Sequence, residues 1–375
     1  MRPRLLMSGI ACAVASACAS ADAAIEFREV PAEALTTPFP GVEFTAIRDI
    51  AEAPDAVWVL DTSPPFLTRI EHTGGGALRG GERGEGPEDL LFPIALQVDP
   101  DSGLAHVWDL GARAHKVFDA TMSLVRSDRL RGADWARRTD FTDVSYADPY
   151  RVRLDGRGAV VVDTPANLDV TADFRRASLV RADLALETRR EVVAFSDHMR
   201  LTRDDPGEFT PVPLWDACGS DLVLWRPASH DLTWLRDDGS IAAQVPIPGR
   251  PAPIREADIV LYLEKMIRLE LGPNYAEAGI DLEVMARDVR AQFSDELPFV
   301  TTVRCQAGGP AWLRVFDNRN DPLGHGRRWL QVTTAGSVDA LEFPPSFEPL
   351  TATPRGVLGS LESSDGIQRL AEWTR

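Results

Sequence analysis

The sequence predicts an all-β fold: a six-bladed β-propeller with an α-helical hairpin inserted late in the ring. Short strand-like units recur at a regular interval, and a tight polar turn precedes each of them. The one interval that is too long contains a stretch of helical periodicity. Units of about 40–50 residues with several strands each stack radially, because a single blade buries both faces of its sheet only between neighbours. A two-layer sandwich, the competing all-β fold, requires neither the regular interval nor the repeated turn.

In chain order, the N-terminus comes first. Basic Arg2 and Arg4, an apolar run over 5–17 and the small residues after it form a secretory signal. This assigns 1–21 to a signal peptide and 22–375 to the propeller. Ala19-Ser20-Ala21 offers a small-x-small cleavage site before Asp22. Ala15-Ser16-Ala17-Cys18 resembles a bacterial lipobox, with Ala15 where leucine is usual, and cleavage there would make Cys18 the lipidated N-terminus. Both cleavages stay open. No stretch after the signal reaches the roughly 20 apolar residues of a spanning helix, so no transmembrane segment is expected once the signal is removed. The expected location is periplasmic or extracellular, with lipid anchoring through Cys18 in the second case. Ile25-Glu26-Phe27-Arg28 then alternates like a strand. The last unit, ending at 367–373, is short, so this N-terminal strand is expected to complete the final blade and remove an open edge.

From Phe44 onward a polar turn followed by an apolar strand returns six times. The turns are Glu52-Ala53-Pro54-Asp55, Pro100-Asp101-Ser102-Gly103, Asp155-Gly156-Arg157-Gly158, Cys218-Gly219-Ser220-Asp221, Ala307-Gly308-Gly309-Pro310 and Thr353-Pro354-Arg355-Gly356. The first three strands that follow share Val-x-Asp: Val59 with Asp61, Val107 with Asp109, Val161 with Asp163. Period-two alternation puts that Val and Asp on one side of the strand. The Asp ends its strand and can fold onto the next backbone N–H groups as an Asx-turn. The three Asp residues lie about 50 residues apart, whereas Gly219 to Gly308 is nearly twice that. The excess is 253–293, where the period changes to helical. Val260, Leu263, Ile267 and Leu271 fall on one face, Gly272-Pro273 stops that helix, and Leu282, Met285, Val289 and Phe293 repeat the spacing. Two such apolar faces are too much to leave in water. The hairpin is expected to pack on the ring, as a brace between blades four and five or as a cover over one channel mouth.

The run from Gly80 to Asp89 invites a phosphate-binding reading. A P-loop ends in Gly-Lys-Ser/Thr, and a dinucleotide-binding turn has a third Gly opening a helix; neither is present. Glu82, Glu85, Glu88 and Asp89 would also repel a phosphate. Gly84, Gly86 and Pro87 instead read as a crossover from the outer strand of one blade to the inner strand of the next, glycine supplying positive φ and Pro87 stiffness. Gly84-Glu85-Gly86-Pro87-Glu88-Asp89, between two Val-x-Asp units, resembles the G-x-G-E-G-P-G-E-F signature of exported bacterial six-bladed propellers related to the NHL repeat. It departs from that signature at Glu88, Asp89 and Leu90, with Phe92 shifted. The resemblance implies a six-bladed toroid, export and a helical segment between later blades. It does not imply one activity, since related propellers include peptide-amidating lyases, lactonases, sensor modules and binding scaffolds.

The formal charge of −17 opposes nucleic-acid binding, which needs a basic surface to displace counterions. Cys218 and Cys305 are the cysteines beyond the signal region; both a disulfide and two separate buried thiols remain open. The six histidines (His72, His106, His115, His198, His230 and His325) are scattered over the units without a H-x-H or H-x-x-x-H pair. No G-x-S-x-G elbow anchors a serine hydrolase. No catalytic or metal residue is therefore assigned and no cofactor is expected. Each inner strand is expected to show only its edge to the channel, leaving recognition to loops and turns. The expected function is a ligand- or protein-binding module, its partner an unknown protein or small molecule. The alternative class is a metal-dependent lyase or lactonase at the channel mouth, for which a divalent metal would be the cofactor.

Overall fold

The computed structural model describes residues 25–74, 76–99, 101–129, 152–154, 159–163, 178–184, 188–194, 209, 211, 213–272, 279–305, 308–317, 327–353 and 356–374. Cys18 and the signal region lie outside the described residues, as do Pro100, Asp155 to Gly158, Ala307 and Pro354-Arg355 of the expected turns, Pro273 of the helix stop, and His198 and His325.

Six separate antiparallel sheets follow one another along the chain. Blade one is Ile47–Glu52, Ala56–Asp61, Leu67–Glu71 and Ala77–Gly80. Blade two is Pro93–Val98, Ala105–Asp109, Ala114–Phe118 and Leu124–Arg129. Blade three is Arg153–Leu154, Ala159–Asp163, Ser178–Ala182 and Arg189–Ala194. Blade four is Leu214–Cys218, Asp221–Arg226, Asp231–Leu235 and Ile241–Pro246. Blade five is Val300–Arg304, Ala311–Val315, Arg328–Val332 and Val338–Glu342. Blade six is Phe347–Ala352, Gly356–Glu362 and Gln368–Thr374, with Leu35–Thr36 as its outer strand. The first strands of the six blades touch in a closed cycle, so they line the axis. This is a six-bladed β-propeller.

Burial follows position in the blade. Ala56–Asp61 and Ala105–Asp109 are buried at every residue, because neighbouring blades cover both faces. Outer strands such as Leu124–Arg129 are mostly exposed and carry charge, which blunts their free edges. Trp58, Trp108, Trp225 and Trp312 occupy the second strands of four blades and are almost fully buried. They supply the large apolar area between blades.

The Val-x-Asp aspartates do more than cap their own turns. Asp109 is fully buried, and its carboxylate accepts from the N–H groups of Leu91 (2.8 Å), Phe92 (2.8 Å) and Ala112 (3.2 Å). Asp61 does the same for Thr45, Ala46 and Ser63. One carboxylate thus ties its own turn to the chain entering the inner strand. The side chain of Asp163 lies outside the described residues.

Ring closure differs from the expectation. Arg28–Glu29 pairs in parallel with the outer strand of blade five, and Leu35–Thr36 pairs antiparallel with Gln368–Thr374. The chain ends do meet in blade six, but the closing strand is Leu35–Thr36. Residues 25–30 belong to blade five, where Ile25 and Phe27 pack on the core shared by blades four and five and Val30 N–H donates to Glu342 O.

The insertion forms the helices Glu256–Leu271 and Leu282–Val289, followed by a 3-10 turn, Arg290–Gln292. Asp258 accepts from Arg255 N–H at the first N-terminus, and Asp281 caps the second through Glu283 and Val284. The buried face overlaps the expected one, with Ile267 and Phe293 buried and Val260, Leu263 and Val289 packed on the same cluster, but its centre is shifted. Ile259, Tyr262, Ile267, Ala286 and Phe293 point inward, whereas Leu271 and Met285 are exposed. The reason is the docking surface. It is an aromatic nest around Phe209, whose ring lies 5.1 Å from Tyr262, 5.5 Å from Phe293 and 5.4 Å from Phe316. Two aromatic anchors therefore decide the rotation, and a regular aliphatic stripe does not.

Cys218 ends the inner strand of blade four, Cys305 directly follows that of blade five, and the two form a disulfide with a Cα separation of 5.2 Å. It closes a loop with a sequence separation of 87. Chain-entropy arguments assign such a loop about 4.6 kcal/mol of stabilisation. Denatured, non-reduced protein recovered from an oxidising compartment should show neither thiol, and reduction should lower its melting temperature. Two titratable thiols at these positions would contradict the bridge.

Candidate functional site

Because successive strands are antiparallel, connections alternate between the two ends of the ring. One end carries the connections 53–55, 99–104, 155–158, 219–220, 305–310 and 353–355, together with 72–76, 119–123, 183–188, 236–240 and 333–337. All are short. The strand ends at the other side are joined by 62–66, 110–113, 164–177, 227–230, 316–327 and 363–367, and by 37–46, 81–92, 130–152, 195–213, 247–299 and 343–346. Every long connection belongs to this second set. The first end is called the turn face below, and the second the connection face.

Three described features build the connection face. The first is the crossover over 81–92, which joins the outer strand of blade one to the inner strand of blade two. Asp89 Oδ2 accepts from Gly86 N–H at 2.9 Å, and Asp89 N–H donates back to Gly86 O. A Cβ on Gly84 or Gly86 would stand 2.2 or 2.7 Å from that oxygen. Glycine is needed at these two positions for close approach of Asp89, while the positive φ belongs to Gly81. Pro87 lies within this closed turn, and buried Lys116 reaches up from blade two to donate to Asp89 O. The second feature is the helical hairpin, seated on Phe209 and Phe316 of neighbouring connections. The third is a cleft of about 330 Å³ where 37–46 meets blade six, with the Glu43–Arg369 ion pair in its wall and Glu362 beside it.

The axis holds a buried ionic cluster, which corrects the expectation that inner strands show only edges. Arg153 of blade three donates to Asp49 of blade one at 3.0 Å and to Asp216 of blade four at 3.1 Å. Leu96 N–H of blade two and Cys305 N–H of blade five complete the two carboxylates. In the same ring Arg314 donates to Thr302 and to Glu348 of blade six. Side chains or backbone groups of blades one to five are therefore joined around the axis, and the Arg314–Glu348 pair separately ties blade five to blade six. The sequence signal was a charged residue within each of several apolar inner strands: Asp49, Arg153, Asp216 and Arg304.

Pairing also brings together two histidines that look scattered in the sequence. His106 Nδ1 and His115 Nε2 lie 3.0 Å apart in blade two, stacked beside Trp108. Burial pushes His115 down to about 4, helped by His106 and Arg126 and opposed by Asp128. Burial lowers His106 as well. A depressed imidazole stabilises the fold fully above its unfolded value near 6.5, and that contribution is lost as pH falls toward about 4. The loss is on the order of 3 kcal/mol. Melting temperature should therefore drop between pH 6.5 and 4 more steeply than in His115→Phe, which keeps the stack on Trp108. Equal slopes would contradict a neutral buried His115.

Among the described residues, no cluster of three or more His, Cys, Asp or Glu is placed to hold a metal ion. No helix among them is long and apolar enough to cross a membrane.

The closed ring of six sheets, five of four strands and one of five, defines the class as a six-bladed β-propeller. No family model matches the chain, and no curated protein is similar to it in sequence. Solved structures resemble the chain at low identity. A Bacteroides fragilis protein classed as exported is 10% identical, with 93% of this chain and 98% of that one covered and a TM-score of 0.49. A member of the DUF4221 family from Bacteroides vulgatus is 9% identical over 90% and 94%, also at 0.49. Virginiamycin B lyase from Staphylococcus aureus is 11% identical over 90% and 87%, at 0.40. At these identities and TM-scores, no property passes from them to this chain.

Proposed function

We propose that this protein is an exported binding module whose recognition surface is the connection face. The observation that supports this reading is the division of the ring: every connection of ten residues or more starts and ends at one face, where the described 81–92 crossover and helical hairpin lie, and the other face has connections of six residues or fewer. A rigid scaffold that collects its long loops at one end is the usual way a fold presents a variable binding surface. The ionic cluster on the axis fits the same reading. Asp49, Arg153 and Asp216 saturate one another and brace the channel wall. Export, read from the N-terminal signal, makes the partner a protein or small molecule met outside the cytoplasm.

The test is to purify the protein from its own envelope without chelator, measure bound divalent metal, and examine the intact complex by native mass spectrometry. A metal-free protein that retains a partner or ligand insensitive to chelation supports the binding module. Stoichiometric metal, with loss of activity or ligand on chelation, would overturn it in favour of a metal-dependent enzyme.

A further inference from the structure

The helical hairpin has a hydrophobic core of its own. Ile259, Tyr262, Ala286 and Phe293 of the insertion pack with Phe209, and Phe316 borders them. Among the described residues, the members of this cluster come from the connections 195–213, 247–299 and 316–327, and no blade strand contributes one. The cluster shared by blades four and five, between which the insertion is rooted, contains no residue of either helix. Docking is also one-sided. Leu261 and Leu271 of the first helix and Val284 and Met285 of the second stay exposed, so only one face of each helix is held.

The two ends of the insertion leave the ring side by side. Pro253 and Glu296 form an antiparallel bridge, Ile254 N–H donates to Asp295 O at 3.0 Å, and Leu297 N–H donates to Ala252 O at 2.8 Å. Rotation about so short a root moves everything beyond it and breaks no blade ladder, which is the usual form of a hinge. Phe209 holds the hairpin from the ring side. Its ring meets Tyr262 and Phe293, and its carbonyl accepts from Ser294 Oγ at 3.1 Å. The backbone at Phe209 has φ 63°, a left-handed conformation that is an outlier for a bulky residue. The docked state therefore holds strain at its main contact, and such strain persists only where the surroundings enforce it.

We propose that the hairpin is a hinged flap, which opens as one unit from its Phe209 latch while the six blades stay folded. Opening uncovers Phe209 and Phe316, so the flap controls access to an aromatic surface on the connection face. The device stands on the packing of the hairpin and does not depend on which face binds a partner. Undocking also loosens the helices themselves. The second has 8 residues, and isolated helices shorter than about 12–15 residues are marginal in water. Opening is therefore readable as amide exchange.

Native-state hydrogen exchange of the full, oxidised chain is the test. Amides of Glu256–Leu271 and Leu282–Val289 should exchange with one common opening, at least about a hundredfold faster than those of Ala105–Asp109 and Ala311–Val315. Phe209→Ala should speed both helices at least about tenfold and leave the blade strands within about twofold. Tyr262→Ala removes the same contact from the other side and should do the same. The wild-type comparison decides the matter even if a variant fails to fold. Helices as protected as the blade strands, or two helices that open independently, would overturn the flap. So would a folded Phe209→Ala or Tyr262→Ala protein whose blade strands accelerate as much as its helices, because a brace behaves that way.

Discussion

Arg153→Met is expected to lower unfolding free energy by about 3–5 kcal/mol, the usual cost of removing one partner of a buried ion pair. Arg153 is the one cation that bridges Asp49 and Asp216, and the side chains of all three are almost fully buried. Without it two buried carboxylates lose the cation that bridges them, while the N–H groups of Ile50, Leu96, Ala217 and Cys305 remain. The loss should appear as a lower urea midpoint at constant slope. Neutralising the acids together, in Arg153→Met with Asp49→Asn and Asp216→Asn, should recover a large part of it. A single-variant loss below about 1 kcal/mol would mean that the cluster is solvated and does not brace the ring.

Asp109→Ala should cost a similar amount, about 3–5 kcal/mol, for a different reason. Its carboxylate holds the N–H groups of Leu91, Phe92 and Ala112 in a fully buried setting. Bonds to a charged acceptor are worth about 1.5–3 kcal/mol each, and the orphaned donors stay buried. Asp109→Asn keeps one acceptor oxygen and should lose roughly half as much. If both variants melt within a degree or two of wild type, the Val-x-Asp repeat marks no structural joint.

These two residues also show what the sequence made legible. Asp109 was visible because it recurs with Asp61 and Asp163 at the blade interval, and the Asx-turn was a local expectation. Its second role, holding Leu91 and Phe92, was hidden because it joins segments that only the blade brings together. The axial cluster was harder still. Asp49, Arg153 and Asp216 each look like a lone charge in an apolar strand, and only ring closure places them within hydrogen-bond reach. The His106–His115 contact depends on strand register in the same way. The six units were legible because turn chemistry and strand alternation are local. The closing strand was misplaced because both N-terminal strands are two residues long and their pairing is decided by distant blades. The hairpin was found by periodicity, but its rotation was set by Phe209, a residue remote in sequence.

If recognition belongs to the connection face, paired surface substitutions on the two faces should separate in their effect on binding. Glu88→Arg with Val284→Arg changes exposed positions on the connection face. Asp101→Arg with Ala335→Arg makes an equivalent change on the turn face. Each protein is purified from its own envelope, and the fraction retaining its co-purifying partner or ligand is read by native mass spectrometry, with melting temperature as the control for folding. The connection-face variant should lose at least about tenfold in retained ligand, with the turn-face variant within about twofold of wild type. The reverse pattern, in folded proteins, would contradict the account.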